Sequence, residues 1–323
     1  MRLGLQVPRF SFPGGRSDTL FDTLVGIARS AEGAGFDALF VMDHFQQVPQ
    51  MGAPSDEMLE AYTTLAALAP MTSTLLLGTL VTDVQYRNPA HLAKIVTTLD
   101  VVSKGRAVLG IGAGWFEAEH RAYGYDFPAI GERMDRLEDA IRTCRDMFEH
   151  ECATSGAWNN PRPVRPGGPL VMVGGTGERR TLRIAAEHAD LLNTNPPFVD
   201  LPRKLDVLAA HCADVGRDRA TLSVSSLATV YIGPTHDVAM AKLAADATRR
   251  SGGAVNVADP DVFAALTARA YVGTPDEVSE QVVRTLSTGI DGVVVMLPDD
   301  AHDEEMMAMV GAAVQQGFEE ASR

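Results

Sequence analysis

The sequence predicts an α/β fold, a closed (β/α)₈ barrel (TIM barrel) with insertion loops at the C-terminal mouth. Short apolar segments alternate with helical patterns throughout the chain, and most of them show no alternation of polar residues. Strands that are covered on both faces have this pattern, which favours a parallel sheet. Eight strands with helices between them fit a closed barrel, and a doubly wound open sheet is the alternative. The predicted strands are Leu3–Val7, Ala38–Met42, Leu75–Val81, Ala107–Ile111, Leu170–Val173, Ala189–Asn193, Leu222–Tyr231 and Gly292–Leu297.

The helices between these strands carry recognisable start signals. Asn88 precedes Pro89, which places an N-cap residue before a proline at the first helical position. Thr274 and Glu277 have the spacing of a capping box and enclose a proline at the first helical position. Both segments are therefore predicted to begin helices that follow strands.

One junction between a helix and a strand occurs twice. The segments GFDALFV (Gly35–Val41) and GIDGVVV (Gly289–Val295) both begin with glycine, an apolar residue and Asp, and both end in strand formers. A glycine that ends a helix, followed by an acidic turn into a buried strand, explains both segments.

Three predicted loops are longer than a plain barrel requires. Long loops on a barrel usually shape the substrate mouth. They are Trp115–Gly131, His150–Pro169 and Ser251–Gly273.

Composition excludes several classes of protein. The 323 residues have a formal net charge of −14, which argues against a nucleic-acid-binding surface. Three widely spaced cysteines without a Cys/His cluster predict neither a metal site nor a disulfide framework. The N-terminus lacks the apolar core of a signal peptide and no segment is apolar enough to span a bilayer, so a cytoplasmic protein is expected.

His44 and Asp43 directly follow the second predicted strand, where the active site of a barrel is located. A histidine there can act as a general acid or base. Alternatively, it packs in a loop and bonds to a carbonyl group. Neighbouring residues on an extended strand point in opposite directions, so Asp43 is expected to bond to the backbone or another side chain rather than to His44.

Two glycine-rich segments end the fourth and fifth predicted strands. Gly174–Gly177 precedes a helix, so its backbone N–H groups can approach an anion, with Arg179 or Arg180 adding charge. A tight turn without a ligand is the alternative. Trp115 ends the other segment, and is either a core indole or an aromatic wall beside a planar ligand.

Taken together, these segments resemble the luciferase-like flavin-dependent oxidoreductases, and most closely the branch that uses the deazaflavin coenzyme F420. The match covers nearly the whole chain in order. The residues that carry it are LGLQVPRFSFPGG, VMDHF, MLEAYTTLAALA, LGTLVTDVQYRNPAHLAKIVTTLDVVSKGRAVLGIGAGWFEAEHRAYG, FPAIGERMDRLEDA, GGTGERRTLRIAAEHAD and VGTPDEV.

The resemblance implies that residues 1–323 form a single domain with the deazaflavin across its C-terminal mouth. His44 matches a histidine that, in some members, acts on the substrate or stabilises the hydride-transfer state. Leu80-Val81 matches a bulge with a non-proline cis peptide bond against the ring. Gly174–Gly177 matches the segment that holds the phosphate tail. The candidate catalytic residue is His44, and the candidate cofactor-binding residues are Asp43, Leu80, Val81, Thr82, Gly112, Gly174, Gly175, Thr176, Gly177 and Asn193.

The sequence departs from the sugar-phosphate dehydrogenases of this family at two positions. Those relatives have a tryptophan four residues after the histidine and a glutamate after the glycines of strand four. Val48 and Trp115 occupy these positions here, so glucose 6-phosphate is not expected to be the substrate.

The resemblance implies an F420-dependent oxidoreductase that transfers hydride between C5 of the deazaflavin and a small organic substrate. An FMN-dependent two-component monooxygenase and a non-catalytic flavin or deazaflavin binder are the alternatives. A flavin-free sugar-phosphate isomerase or aldolase is disfavoured because no lysine or metal cluster ends a predicted strand. The expected partners are a second copy of the chain, in a homodimer, and an F420-reducing dehydrogenase that recycles the cofactor, with neither nucleic acid nor membrane.

Overall fold

The fold was obtained as a computed structural model, which describes residues 1–253 and 255–323. Ten strands are found in these residues. They are β1 (Leu3–Val7), β2 (Ala38–Val41), β3 (Leu76–Thr79), β4 (Thr82–Asp83), β5 (Ala107–Gly112), β6 (Leu170–Gly174), β7 (Leu191–Thr194), β8 (Ser223–Ile232), β9 (Ala270–Gly273) and β10 (Gly292–Met296).

Helices connect the strands and surround the sheet. Within the described ranges they are α1 (Leu20–Gly33), α2 (Ala61–Leu68), α3 (Pro89–Ser103), α4 (Glu117–Tyr123), α5 (Ile130–Glu149), α6 (Thr181–His188), α7 (Leu201–Asp214), α8 (His236–Ser251), α9 (Pro260–Thr267), α10 (Pro275–Leu286) and α11 (Glu304–Ala321). In this part of the chain, no helix is both long and apolar enough for a membrane crossing.

The sheet closes into a barrel of eight parallel strands. Its order is β10-β1-β2-β3-β5-β6-β7-β8, and β8 pairs with β10 to complete the ring. An open doubly wound sheet has no such closing pair, so the predicted (β/α)₈ barrel is confirmed. One apolar layer fills the interior of the barrel, with Phe40, Val108, Met172 and Val294 among its members. A larger layer lies between the strands and the surrounding helices.

The predicted helix starts are present as expected. The Asn88 side chain accepts hydrogen bonds from the backbone N–H groups of Ala90 (3.0 Å) and His91 (3.3 Å) at the start of α3. Thr274 and Glu277 form a reciprocal capping box at the start of α10.

The repeated glycine–acid junction aligns neighbouring strands. Gly35 and Gly289 have positive φ angles of 79° and 101°, a conformation that glycine adopts without steric cost. The Asp37 carboxylate then accepts the Leu3 N–H (3.0 Å), and Asp291 accepts the Val224 N–H (2.7 Å).

A third junction follows the same rule without the glycine. Asp190 lies immediately before β7, and its carboxylate accepts the Val171 N–H at 2.8 Å. In each case the acid before one strand binds the start of the neighbouring strand, which helps to set their register.

Two predicted segments differ from the observed elements. The predicted strand Leu75–Val81 is broken at Leu80-Val81 into β3 and β4. The predicted loop Ser251–Gly273 contains α9 and β9, while its residue Ala254 lies outside the described residues. The sequence did not predict β9, because its four residues become a strand only by pairing with the last four residues of β8. That part of β8 extends beyond the barrel.

The other two predicted loops lie at opposite ends of the barrel. Trp115–Gly131 follows β5 and contains α4, so it belongs to the mouth. His150–Pro169 joins the end of α5 to the start of β6, and this connectivity places it at the other end.

The pairing of β1 with β10, called the seam below, leaves no room for a side chain at Gly292. A Cβ atom there would lie 2.5 Å from the Arg2 carbonyl oxygen and 2.7 Å from that of Met1. We predict that Gly292→Ala lowers the free energy of unfolding by about 2 kcal/mol, because the two strands must separate. Urea unfolding monitored by circular dichroism measures this change.

Gly26→Ala is the matched control for this substitution. Gly26 lies on the exposed face of α1, and a Cβ atom there would have no neighbouring atom within 4 Å. The control is expected to stabilise the protein by about 0.5–1 kcal/mol through helix propensity. Equal unfolding midpoints for Gly292→Ala and the wild type would show that the seam is not tightly packed.

Candidate active site

The carboxyl ends of the eight barrel strands form a single rim. His44 follows β2, Trp115 follows β5, and the segment Gly174–Gly177 begins at the end of β6. Barrels of this kind place their reactive groups at this rim, because the connections between strands and helices gather there.

His44 is held by a buried carboxylate on α4. Its Nδ1 atom lies 2.7 Å from Oε2 of Glu119, which is fully buried. The same oxygen accepts the hydroxyl of Tyr86. The other oxygen accepts the backbone N–H groups of Phe45 (2.7 Å) and Gln46 (3.1 Å). Glu119 therefore fixes both the imidazole and the chain that follows it.

This arrangement determines which imidazole nitrogen can act as a base. An ionised carboxylate only accepts hydrogen bonds, so the proton of neutral His44 resides on Nδ1. Nε2 is then the acceptor, and it makes no hydrogen bond within the described residues. The side chain retains 12% exposure, which leaves access to a ligand in the mouth.

The hydrogen bonds also determine the charge of Glu119. Burial by itself raises the pKa of this carboxyl group, but the bonds from His44, Tyr86 and the Phe45 N–H outweigh burial. The resulting pKa lies below the ordinary value of 4.5. Glu119 is therefore ionised at neutral pH.

A cluster of aromatic rings covers the Glu119 network. The Phe45 ring lies 4.6 Å from Tyr86, 5.0 Å from Tyr123 and 5.7 Å from Tyr125, measured between centroids. The Tyr123 hydroxyl also donates to the Phe45 carbonyl oxygen at 3.1 Å. These contacts bind the loop after His44 to α4 and keep water from the carboxylate.

Trp115 lines the mouth and is not part of the core. Its side chain is 53% exposed, and its ring stacks on Phe116 at 5.2 Å. The edge of the Trp115 ring meets His44 at 5.9 Å. The core-indole alternative is therefore wrong, and Trp115 forms an aromatic surface next to the histidine.

Asp43 faces away from His44, as the strand geometry predicts. Its buried carboxylate forms a two-pronged ion pair with Arg87, at 2.5 Å and 3.0 Å. Arg87 also binds Glu60 at 2.8 Å, and its guanidinium lies over the Tyr62 ring. With both oxygens engaged, Asp43 is positioned to support the rim rather than to offer a free group to a ligand.

Leu80 and Val81 lie between β3 and β4, where they interrupt the third strand of the barrel. The peptide bond between them is cis, as the family resemblance implies. The Leu80 carbonyl oxygen accepts a hydrogen bond of 2.7 Å from the buried side chain of Gln6. The Leu80 N–H bonds to the Val41 carbonyl oxygen at 2.9 Å, so both sides of this segment are anchored to neighbouring strands.

Val81 lies against two of the candidate glycines. A Cβ atom at Gly112 would lie 2.9 Å from Cγ2 of Val81, and one at Gly174 would lie 2.6 Å from its Cγ1. The structure therefore brings together four of the predicted cofactor residues, Leu80, Val81, Gly112 and Gly174. The two glycines leave space for the Val81 side chain at the floor of the mouth.

Thr82 contributes its hydroxyl to the wall of the barrel. It lies 2.7 Å from the Tyr62 hydroxyl and 2.9 Å from that of Thr79. Thr79 in turn donates to the Gly110 carbonyl oxygen at 2.8 Å. Thr82 is fully buried, so its predicted contact with a cofactor is not supported by a free hydroxyl in the mouth.

Asn193 connects three strands next to Gly174–Gly177. Its side-chain amide donates to the Ser225 hydroxyl at 2.9 Å. Its carbonyl oxygen accepts the Gly175 N–H at 3.0 Å. The side chain is almost fully buried, so Asn193 acts on the glycine segment through its backbone.

The remaining part of the glycine segment has the features of an anion cradle. The N–H groups of Thr176, Gly177 and Glu178 have no hydrogen-bond partner within the described residues. The Lys204 ammonium lies 2.9 Å from the Thr176 carbonyl oxygen, and Arg179 is exposed nearby. Arg180 binds Asp135 on α5 instead. Lys204 also binds the Glu178 carboxylate at 2.7 Å, so the free N–H groups before the helix and Arg179 are the features that fit a phosphate group.

Sequence reasoning missed three residues that shape the site. They are Glu119, Arg87 and Gln6, which hold His44, Asp43 and the Leu80 carbonyl oxygen respectively. Glu119 supplies a carboxylate, but not at position 115, where the sugar-phosphate dehydrogenases have theirs. Its spacing from His44 in the chain gave no sign of the contact.

Glu119→Gln tests the buried carboxylate. Because the folded state lowers the pKa of Glu119, its stabilising effect is complete above the unfolded pKa, close to 4.5, and is lost as the pH falls through the folded pKa. We expect the substitution to cost about 1.5–3 kcal/mol of unfolding free energy at pH 7. The difference from the wild type should shrink below pH 4.5. Urea unfolding between pH 3 and pH 7 measures it.

The exposed Glu117 provides the control for this experiment. It pairs with Arg121 on the same helix, so Glu117→Gln is expected to cost less than about 0.5 kcal/mol at any pH. A Glu119→Gln penalty that is equal at pH 3 and pH 7 would contradict the stated role of the ionised carboxylate.

Comparison with known proteins gives both a family and a set of relatives. The profile of the luciferase-like monooxygenase family matches residues 1–292. The F420-dependent glucose-6-phosphate dehydrogenase of Microbacterium testaceum is 28% identical over 302 residues, which cover 85% of this chain and 86% of that protein.

Solved structures with lower identity share the fold. An F420-dependent secondary alcohol dehydrogenase, in complex with an F420–acetone adduct, has a TM-score of 0.74 and 19% identity, covering 96% of this chain and 98% of that one. A monooxygenase from Streptomyces bottropensis has a TM-score of 0.80 and 20% identity over the full length of both chains. The family match covers most of the sequence, and the chain therefore belongs to the luciferase-like monooxygenase family.

Proposed function

We propose that this protein is a coenzyme F420-dependent oxidoreductase that acts on a small organic substrate. The observation that carries the chemistry is the unpaired Nε2 atom of His44, held towards the mouth by Glu119. The choice of cofactor rests on the relative from Microbacterium testaceum, which is F420-dependent and is similar over 85% of this chain.

The chain offers separate places for the two ends of such a cofactor. The floor formed by Val81, Gly112 and Gly174 would support the ring, and the free N–H groups after Gly175 would hold the phosphate. The exposed Arg179 would add positive charge on that side. When bound, the deazaflavin supplies or accepts the hydride, and the protein contributes position and electrostatics.

His44 moves the proton that accompanies hydride transfer. Nε2 accepts a proton from an alcohol during oxidation, or returns it to the carbonyl oxygen during reduction. The imidazolium formed in the first case is stabilised by the ionised Glu119 at Nδ1. The Trp115 and Phe116 rings contact the His44 ring edge-on, at 5.9 Å and 6.0 Å between centroids, and give the site one aromatic side.

Titration of the purified protein with F420 and with FMN tests the choice of cofactor. Quenching of the intrinsic fluorescence of each cofactor reports its binding. We expect F420 to bind at least about tenfold more tightly than FMN, a difference of about 1.4 kcal/mol. Tight FMN binding without F420 binding would instead support the two-component monooxygenase.

His44→Ala tests the proton-transfer role. A panel of small ketones, secondary alcohols and enones, assayed by the change in F420 absorbance, identifies a substrate. With that substrate, loss of the general acid or base is expected to lower kcat by about 10²–10⁴-fold. F420 affinity should change by less than about twofold, since His44 provides no ring support in this proposal.

His91→Ala is the control, because His91 lies on the exposed surface of α3. Wild-type turnover in His44→Ala would remove His44 from the mechanism. Binding of F420 without turnover on the panel would favour the non-catalytic alternative.

The partners and compartment remain predictions of the family resemblance. We propose a homodimer in the cytoplasm whose cofactor is recycled by an F420-reducing dehydrogenase. Analytical ultracentrifugation of the purified protein checks the subunit count.

A further inference from the structure

A polar cavity opens beside the end of β1, on the opposite side of the barrel mouth from the glycine segment Gly174–Gly177. It has a volume of about 390 Å³, and three arginines line it. We call it the arginine pocket, defined by Arg9, Arg249 and Arg250, with Met51 and Asp56 among the other lining residues.

The lining of the arginine pocket contains more cationic than anionic side chains, although the chain as a whole is acidic. The protein carries a formal charge of −14, yet the lining residues include three guanidinium groups and a single carboxylate, Asp56. Lysines do not contribute to this lining. Arginine is the side chain best suited to planar, two-pronged contacts with carboxylate or phosphate.

Two acids that do not line the pocket hold the guanidinium groups in place. Asp299 binds Arg249 at 2.8 Å and also binds Arg9. Asp246, which is 1% exposed, binds Arg250 at 2.6 Å. The acids orient the arginines from one side and leave donors on the other.

The number of donors argues against a network that only stabilises the fold. Each guanidinium carries five N–H donors. Arg250 uses one nitrogen, which binds Asp246, and Arg9 uses two, which bind Asp299 and the Pro298 carbonyl oxygen. Arg249 uses two, which bind Asp299 and Asp246. The remaining N–H groups are available to a ligand, and the side chains of Arg249 and Arg250 are 37% and 29% exposed.

The arginine pocket shares a wall with the histidine site. Met51, in the loop that continues from His44, lines the pocket and packs against a cluster that contains Phe116. The Phe116 ring lies 6.0 Å from the His44 ring between centroids. The two places are therefore neighbours, and a substrate lying over Met51 and Phe116 would extend from one to the other.

The pocket is also separate from the proposed phosphate cradle of the cofactor. Arg9 follows β1, and the glycine segment follows β6. In the closed ring of eight strands these two are four positions apart, which is the full width of the barrel. One end of the mouth therefore suits the cofactor tail, and the other suits an anion of a second molecule.

We propose that the arginine pocket binds an anionic group of the substrate, a carboxylate or a phosphate, while the reacting carbon lies beside His44. This inference rests on the proposed function for the identity of the second molecule. It narrows the substrate to alcohols, ketones or enones that carry a negative charge at a distance from the reacting carbon.

Calorimetric titration with acetate and with methyl phosphate tests the pocket without any cofactor. We expect saturable binding of at least one probe by the wild type at low salt, and the tighter probe identifies the anion. Loss of a charge-assisted hydrogen bond in Arg250→Gln should weaken that binding by about tenfold or more. Arg9→Gln should have the same effect, which protects the result against misfolding of one variant.

Arg142→Gln is the matched control. Arg142 pairs with Glu138 four residues earlier on its helix, and Glu138 also contacts Arg180. Arg250 has the same environment, because it pairs with Asp246 four residues earlier and Asp246 also contacts Arg249. The control removes the same charge from α5, outside the mouth, and should bind the anion like the wild type. Absence of saturable binding of both probes, or unchanged affinity in both pocket variants, would overturn the inference.

Steady-state kinetics test whether the arginine pocket binds the substrate. For an anionic substrate from the panel, Arg250→Gln should raise KM about tenfold with little change in kcat, because it removes binding and not proton transfer. The corresponding methyl ester or dephosphorylated compound should be equally poor with both proteins. A preference of the wild type for the uncharged compound would overturn the inference.

The two proposals fail in different experiments. Failure of F420 to bind would overturn the proposed function and would leave the anion titrations unaffected. Failure of both anions to bind would overturn the arginine pocket and would leave the F420 titration standing.

Discussion

Closure of the parallel barrel is the constraint on which the rest of the structure depends. The pairings of β10 with β1 and with β8 complete the ring, so all eight strands end at one rim. This requires a glycine at position 292 and acids at positions 37, 190 and 291 that bind the start of a neighbouring strand. His44, Trp115 and the glycine segment share a mouth only because these strands run in one direction and close.

Glu119 links stability to the chemistry of that mouth. A buried carboxylate is costly unless it is fully hydrogen-bonded, and Glu119 meets this condition with donors from His44, Tyr86 and two backbone N–H groups. The same bonds fix the tautomer of His44. A single buried charge thus orders the loop after β2 and leaves Nε2 as a hydrogen-bond acceptor without a partner among the described residues.

Charge is distributed unevenly around the rim of this acidic protein. The glycine segment lies after β6, whereas Arg9 of the arginine pocket lies after β1 on the other side. Between them are Val81 and the aromatic rings of Trp115 and Phe116. In the two proposals, this order would place the cofactor phosphate at the glycine segment, its ring over the apolar floor, and an anionic group of the substrate in the arginine pocket.

The sequence by itself determined the eight barrel strands, the starts of α3 and α10 and the position of His44 on the rim. Apolar runs, caps and glycine–acid junctions are local features, and they specify local structure before any tertiary contact forms. The family resemblance added the cis bond at Leu80-Val81. Only the tertiary structure decided the partners of these residues. Glu119 lies 75 residues from His44, Arg87 lies 44 residues from Asp43, and Asp299 lies 290 residues from Arg9. Such contacts arise from closure of the barrel, which no local pattern encodes.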